Sequence, residues 1–328
     1  MGKRIYGNIL AVAALFFAFI TDTQAQQTLL VTGQGYSTVE QYDLSGAYIG
    51  SLFSGPLVQP FGVALHPTNG LYYVSDYATG SIERFQADGT WDSTFATGLN
   101  QPQGIVFDPL SEELYVREFG NGNYTILDNS ATSTLLHNYT EDAYYVRWGL
   151  DGSQKDPTLH SNGGGDYYYW ESGAPGSITW SHHVKFADWA GGLEFDPTAP
   201  DTLFTADISN SLGGDTNGEV RRWMMHSGDS QATDLGRFAD LGAGVRPGDL
   251  LYNPATSGFF VSDWDSKSIF ELDSSGAVVN TINSPIGSSN WGLAYGPSLS
   301  GASAPEPGTL GLLALGGGAG IVARRRRK

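Results

Sequence analysis

The segments QPFGVALHPTNGLYYVSD (59–76) and QPQGIVFDPLSEELYVRE (101–118) superimpose at a constant offset of 42 residues, with Gln, Pro, Gly, Pro, Tyr and Val coinciding. The same frame returns as GLEFDPTAPDTLFTAD (192–207) and GDLLYNPATSGFFVSD (248–263). A unit of this length cannot bury its apolar face alone, so it must stack on copies of itself. Each unit reads as Gly, a short apolar run, a Pro turn, a second apolar run and usually an acid. A third run follows at 82–85, 124–127, 220–223 and 269–272, and a turn such as Asp88-Gly89 or Ser275-Gly276 leads to a fourth. Four short β-rich runs bounded by Gly, Pro, Asn and Asp predict the blade of a β-propeller.

The ends of this body complete a ring. LLVTGQGYSTVEQYDLSG (29–46) matches YYVSDYATGSIERFQADG (72–89) at an offset of 43 but lacks a first strand, and NWGLAYGP (290–297) is a first strand with nothing after it. Joined, they make one blade and remove the open sheet edges. The expected blades are 28–57 with 290–297, 59–100, 101–142, 143–188, 189–246 and 247–289. The fold class is therefore all-β, a six-bladed propeller, with five or seven blades left open by the irregular 143–188. The cadence of Gly, three apolar residues, Asp-Pro and then L-Y-V-S-D resembles the NHL and YVTN-type propeller families over 59–142 and 189–289. That resemblance implies the architecture and no particular activity.

Both ends of the chain read as addresses. Lys3 and Arg4 precede an unbroken apolar run at 9–20, and Thr23-Gln24-Ala25 offers small residues for a cut before Gln26, the layout of a secretory signal peptide. At the other end, Pro305-Glu306-Pro307 precedes an apolar, glycine-bearing stretch at 309–323 and the cluster Arg324, Arg325, Arg326, Arg327 and Lys328. The stretch is short for a membrane span of about 20 residues. Its terminal cations suit the cytoplasmic side, and a permanent anchor is the plain alternative. The tail resembles the PEP-CTERM sorting signal of Gram-negative bacteria. That resemblance implies a transient inner-membrane intermediate, processing by an exosortase near the PEP triplet, and delivery to the cell surface or extracellular matrix. The domain reading is 1–25 signal peptide, 26–300 propeller and 301–328 sorting signal.

Setting both ends aside leaves 10 basic and 32 acidic residues, a net charge of about −22 on the body. This argues against nucleic acid as a partner. With no cysteine, disulfides and thiolate chemistry are absent.

Three groups of residues merit attention as sites. Asp76, Glu118, Asp207 and Asp263 end the second strands, toward the mouth of the central channel, where carboxylates can hold a divalent cation. The bland reading is that each accepts amide hydrogens in the turn it begins. Gly33 breaks this set in the first blade. The gluconolactonase-like propellers hold their metal on a Glu, an Asn and an Asp, which find no residue-by-residue match here. Second, Asp215, Asn217 and Glu219 alternate in a glycine-bearing loop and suit Ca²⁺, the one cofactor this sequence suggests. Third, 144–189 is dense in aromatics. Tyr167, Tyr168, Tyr169 and Trp170, with Asn162 and Asp166 flanking the glycines 163–165, would make a carbohydrate platform, because four successive aromatics of a strand cannot all face one core. The adjacent His182 and His183 point to opposite faces of a strand, and His66 takes the turn position of Asp108 and Asp196. No nucleophile elbow, phosphate loop or Cys/His metal pattern occurs. The expectation is a non-catalytic surface scaffold that binds polysaccharide or protein, with a metal-dependent lactonase or lyase in the channel as the alternative.

Overall fold

The short apolar runs of the repeat become β-strands, as β-branched and aromatic side chains suit a pleated, half-buried surface. No helix occurs among the described residues. The computed structural model describes residues 27–108, 111–138, 146–147, 158–160, 166–172, 178–185, 190–207, 217–224, 233–285 and 289–297. Within these, 34, 135–138, those between 146 and 190, 200–201 and 289 are described by their backbone. The signal peptide at 1–25, the sorting tail, Asn162 and Asp215 lie outside the described residues.

Thr28–Gly296 form one compact unit of antiparallel four-stranded sheets. The first blade contains β1 (Thr28–Gln34), β2 (Val39–Asp43) and β3 (Tyr48–Phe53), completed on its inner side by β24 (Ser289–Gly296). The second is β4 (Pro60–Leu65), β5 (Tyr72–Asp76), β6 (Ser81–Phe85) and β7 (Trp91–Ala96). The third is β8 (Pro102–Phe107), β9 (Leu114–Glu118), β10 (Asn123–Leu127) and β11 (Ser133–Asn138). A further sheet pairs β12 (Val146–Arg147), β13 (Thr158–His160), β14 (Asp166–Ser172) and β15 (Ile178–Lys185). Then come β16 (Ala190–Asp196), β17 (Ala199–Asp207), β18 (Asn217–Met224) and β19 (Thr233–Ala243), and finally β20 (Pro247–Asn253), β21 (Gly258–Asp263), β22 (Ser268–Leu272) and β23 (Val278–Asn283). Five blades are thus described with side chains. The closure expected from the two chain ends is present: β1 pairs with β24, Leu29 opposite Tyr295 and Val31 opposite Leu293.

The core lies between blades. Leu30, Val39 and Phe53 of the first blade pack on Val63, Val74 and Phe85 of the second. Tyr73, Ile82 and Ala96 of the second then pack on Ile105, Val116 and Leu127 of the third. Both faces of each second strand are therefore covered. This is why YYVSD is buried throughout and shows no apolar–polar alternation.

The innermost strands approach one another most closely, and two devices hold them. Each inner strand breaks register at the same point, between Pro60 and Val63, Pro102 and Ile105, Ala190 and Leu193, and Pro247 and Leu250. Such a bulge bends the strand and re-aims its backbone. Glycine stands in it where the next blade presses. A Cβ on Gly62 would lie 2.6 Å from the Gln103 carbonyl oxygen, one on Gly192 2.5 Å from Asp249 Cα, and one on Gly292 2.3 Å from the Phe61 carbonyl oxygen. The second device is a hydroxyl on the second strand. Ser75 Oγ accepts from Gly62 N at 2.8 Å and donates to the Gln103 carbonyl of the next blade at 2.5 Å. Thr32 does the same between Gly292 N and the Phe61 carbonyl, and Ser262 between Asp249 N and the Trp291 carbonyl. This corrects the alignment of 248–263 by one residue. Asp249, not Gly248, stands in the bulge, and its buried carboxylate crosses to Leu293 N at 2.9 Å.

The hairpins between third and fourth strands also repeat. Asp43 accepts the amides of Ser45 and Ala47, and Asp273 those of Ser275 and Ala277, at 2.8–3.1 Å. The hydroxyls of Ser45 and Ser275, followed by these amides, hold both carboxyls below their ordinary range. A carboxylate whose folded pKa is lowered stabilises the fold above its unfolded value, and that stabilisation is lost as pH falls through the folded value. The thermal midpoint should therefore fall as pH is lowered from about 5 to about 3, and fall less in the Asp43→Asn/Asp273→Asn variant. Replacing Gly62 by Ala should cost about 1–3 kcal/mol in urea unfolding, because its methyl meets backbone that cannot yield cheaply.

Candidate functional site

The acids that close the second strands are all buried, Asp76 and Asp207 at 0% and 1% exposure and Glu118 and Asp263 at 5% and 4%. Their surroundings follow from the residue opposite. Pro60, Pro102 and Pro247 begin the inner strands directly across from Asp76, Glu118 and Asp263, and proline offers no amide hydrogen. Each carboxylate instead gathers the amides just upstream. Asp76 accepts from Val58 N and Gln59 N, and Glu118 from Asn100 N at 2.7 Å. Asp263 accepts from Arg246 N at 3.1 Å. Asp76 also caps its own turn through Ala78 N and Thr79 N, both at 3.0 Å, and Asp263 does so through Asp265 N at 3.0 Å and the Ser266 hydroxyl at 2.6 Å. Among the described residues no three His, Cys, Asp or Glu side chains gather as a cation would require. The structure does not bring the four acids together, and three of them serve as clasps between a linker and a turn.

The loop expected to hold Ca²⁺ is described only at its end. Asn217 Nδ2 donates to Asp240 at 3.2 Å, and Glu219 accepts from Arg221 at 2.7 Å with Arg237 at 3.8 Å. Guanidinium groups stand at the carboxylate where the cation was expected, and Asp215 lies outside the described residues. The aromatic run falls on β14, with Tyr167 paired to Val184 and Tyr168 to His183, and a bulge between Tyr169 and Glu171. His182 and His183 lie in β15, as expected of a strand. His66 is the turn residue it was expected to be, its Nδ1 accepting from Thr68 N at 3.2 Å.

Two features went unread in the sequence. Buried Glu40 and Glu83 hold equivalent partners, two hydroxyls and an aromatic donor, at identical spacings. Glu40 accepts from Thr38, from the Tyr48 hydroxyl at 2.6 Å and from Ser51 at 2.9 Å. Glu83 accepts from Ser81 at 2.7 Å, Trp91 Nε1 at 3.0 Å and Thr94 at 2.9 Å. The offset of 43 that aligns 29–46 with 72–89 carries this signal, continued into the fourth strands. The second feature is a belt of rings beside the clasps. Tyr77 and Phe119 each follow a clasp acid, and Tyr77 reaches Trp291, which stacks near Phe61 with centroids 5.0 Å apart. Trp264, which follows Asp263, lies under the Arg246 guanidinium.

Residues 303–328 match the family model described as the PEP-CTERM protein-sorting motif. The tail is a PEP-CTERM sorting motif. It implies exosortase processing and export through the membrane to the cell surface in Gram-negative bacteria. No curated protein matches the chain in sequence. Among solved structures, a chain of the nidogen/laminin complex is similar, with TM-score 0.64 and 14% identity, covering 83% of this chain and 99% of that one. A periplasmic gluconolactonase of Pseudomonas aeruginosa gives TM-score 0.56 and 13% identity over 83% of this chain and 99% of that one. A Lactobacillus plantarum protein gives 0.55 and 14% over 79% and 82%. At such identities the likeness establishes the β-propeller fold of the PEP-CTERM protein's body.

If Asp76 is a clasp, Asp76→Ala should lower stability by about 2–4 kcal/mol, since it strands several amides at once. Urea unfolding with and without Ca²⁺ checks this; a loss that appears only with Ca²⁺ would instead mark a metal ligand.

Proposed function

We propose that this chain is an exported scaffold that exosortase releases to the cell surface or extracellular matrix, where it binds polysaccharide or a protein partner without catalysis. Its body is a six-bladed ring in which the β12–β15 sheet is the blade between β8 and β16, a reading supported by β12 adjoining both of those inner strands. The binding surface is the aromatic run Tyr167, Tyr168, Tyr169 and Trp170 with Asn162 and Asp166. The observation that carries the non-catalytic reading is that Asp76, Glu118 and Asp263, the acids nearest the expected channel mouth, are engaged by backbone amides of the linkers leading into their blades. A metal-assisted hydrolase is the second reading. The Pseudomonas gluconolactonase shares the fold, and this architecture hosts binders and enzymes alike.

Expression of the full chain in an exosortase-bearing host, followed by washing and quantification of the matrix fraction, tests both. The Tyr168→Ala/Trp170→Ala variant should lose most of its retention while being released in normal amount. Unchanged retention would remove β14 as the binding surface. Metal-dependent lactone hydrolysis by the released protein would replace the scaffold reading with the enzymatic one.

A further inference from the structure

The junction between the second and third blades departs from the repeat in a way that opens a cavity of about 480 Å³. At the junction before it, the hairpin of the second blade presses on the first: a Cβ at Gly89 would lie 2.2 Å from the Leu52 carbonyl oxygen. The β20–β23 hairpin presses on β19 in the same way, Gly276 against the Phe238 carbonyl. In the third blade this turn residue is Ala131, held at a φ of 59° like the glycines it replaces. Its methyl supplies the Cβ that the other junctions exclude, and the turn and Phe95 both line the cavity. Two residues on, Trp91 pairs with Phe85 in the second blade and Ser133 with Leu127 in the third, the same register position. Trp91 lies half-exposed over its junction, with Cβ 3.6 Å from a Cβ built at Gly55 and Nε1 on Glu83 of its own blade. The corresponding Gly98 has nothing within 4 Å. The cavity lies where the second blade places its indole.

Its lining defines the occupant. Phe95, Leu99 and Leu127 form an apolar floor, and Glu118, Asn123 and Ser133 stand among the polar residues of the walls. Glu118 is buried and already accepts from Asn100 N, from the Asn121 amide at 3.1 Å and from the Thr125 hydroxyl, so its charge is met by the protein. An anion would be repelled by that carboxylate, and a metal ion would find one carboxylate where it needs several. A purely apolar ligand would set hydrocarbon against a lining that is mostly polar. What remains is a neutral ring with one apolar face and many hydroxyls. The volume falls within the roughly 300–1,000 Å³ usual for small-molecule sites.

We propose that this inter-blade cavity binds one sugar ring of a neutral glycan, at a site separate from β14. The test is calorimetric titration of the purified full chain with cellotriose, maltotriose, mannotriose and triacetylchitotriose. At least one should bind with a dissociation constant below about 1 mM. Ser133→Trp, which restores the residue the second blade uses, should weaken that binding about tenfold or more, whereas Val279→Ala, at an exposed position of β23, should leave it unchanged. If none of the four binds, or folded Ser133→Trp binds equally well, the proposal is overturned. If Ser133→Trp does not fold, Thr97→Phe at the exposed rim takes its place. Hydrogen exchange on the wild-type chain must then show sugar-dependent protection at 95–99 and 121–127, and protection confined elsewhere also overturns it. Loss of binding in Trp170→Ala alone would assign the sugar to β14 and reject the cavity.

Discussion

Neighbouring inner strands meet backbone to backbone, and the rest of the fold is arranged around this contact. Side chains cannot stand between strands that approach this way, so the bulge residue is glycine at Gly62, Gly192 and Gly292. Buried carbonyls at such a contact still need donors, because an unpaired buried polar group costs about as much as a lost hydrogen bond. Ser75, Thr32 and Ser262 supply them, each bridging an amide of its own blade to a carbonyl of the next. The apolar clusters between blades fill the space farther from the axis. They supply most of the burial, while glycine and hydroxyl fix the spacing at which it occurs.

The acid that follows the hydroxyl works in a second direction. Ser75 ties its blade to the next one, and Asp76 ties the blade to its own incoming linker, replacing the amide that Pro60 lacks. The pair Ser-Asp at the end of a second strand is thus a two-way joint, and its recurrence at Ser262-Asp263 follows from the same geometry. A carboxylate held by several amides at the rim of a propeller resembles a metal ligand in sequence and is a structural part in space. Glu118 shows how a longer side chain extends the joint: it reaches Asn100 N and still meets Thr125 across the sheet.

Departures from the repeat mark where the protein differs from a plain scaffold. Asp249 in the bulge, Arg117 in the hydroxyl position, and Ala131 with Ser133 at the junction of the second and third blades each depart from the residues found at the corresponding places of the first two blades. Arg117 is fully buried, donating to the carbonyls of Glu118 and Asn123 of its own blade and lying over the Tyr124 ring at 4.8 Å. Ala131 and Ser133 line a cavity. An irregularity that is packed shut serves stability, and one that is left open is available to a ligand.

The repeat itself determined the strands, the antiparallel blades and the closure of β1 on β24, because period, turn residues and apolar runs are local properties that only one architecture satisfies together. The sorting tail was equally legible, its three parts being read in linear order by charge and hydropathy. The partners of Asp76 and Glu118 belong to the tertiary structure, since an acid after YVS reads the same whether it meets a cation or an amide, and only the register with Pro60 and Pro102 decides. The matched surroundings of Glu40 and Glu83 depend on which residues β3 and β7 present across the sheet. The cavity depends on what is missing: Ser133 and Ala131 are ordinary residues in sequence, and they line a space only because the neighbouring blade brings Phe95 and Gly98 opposite them.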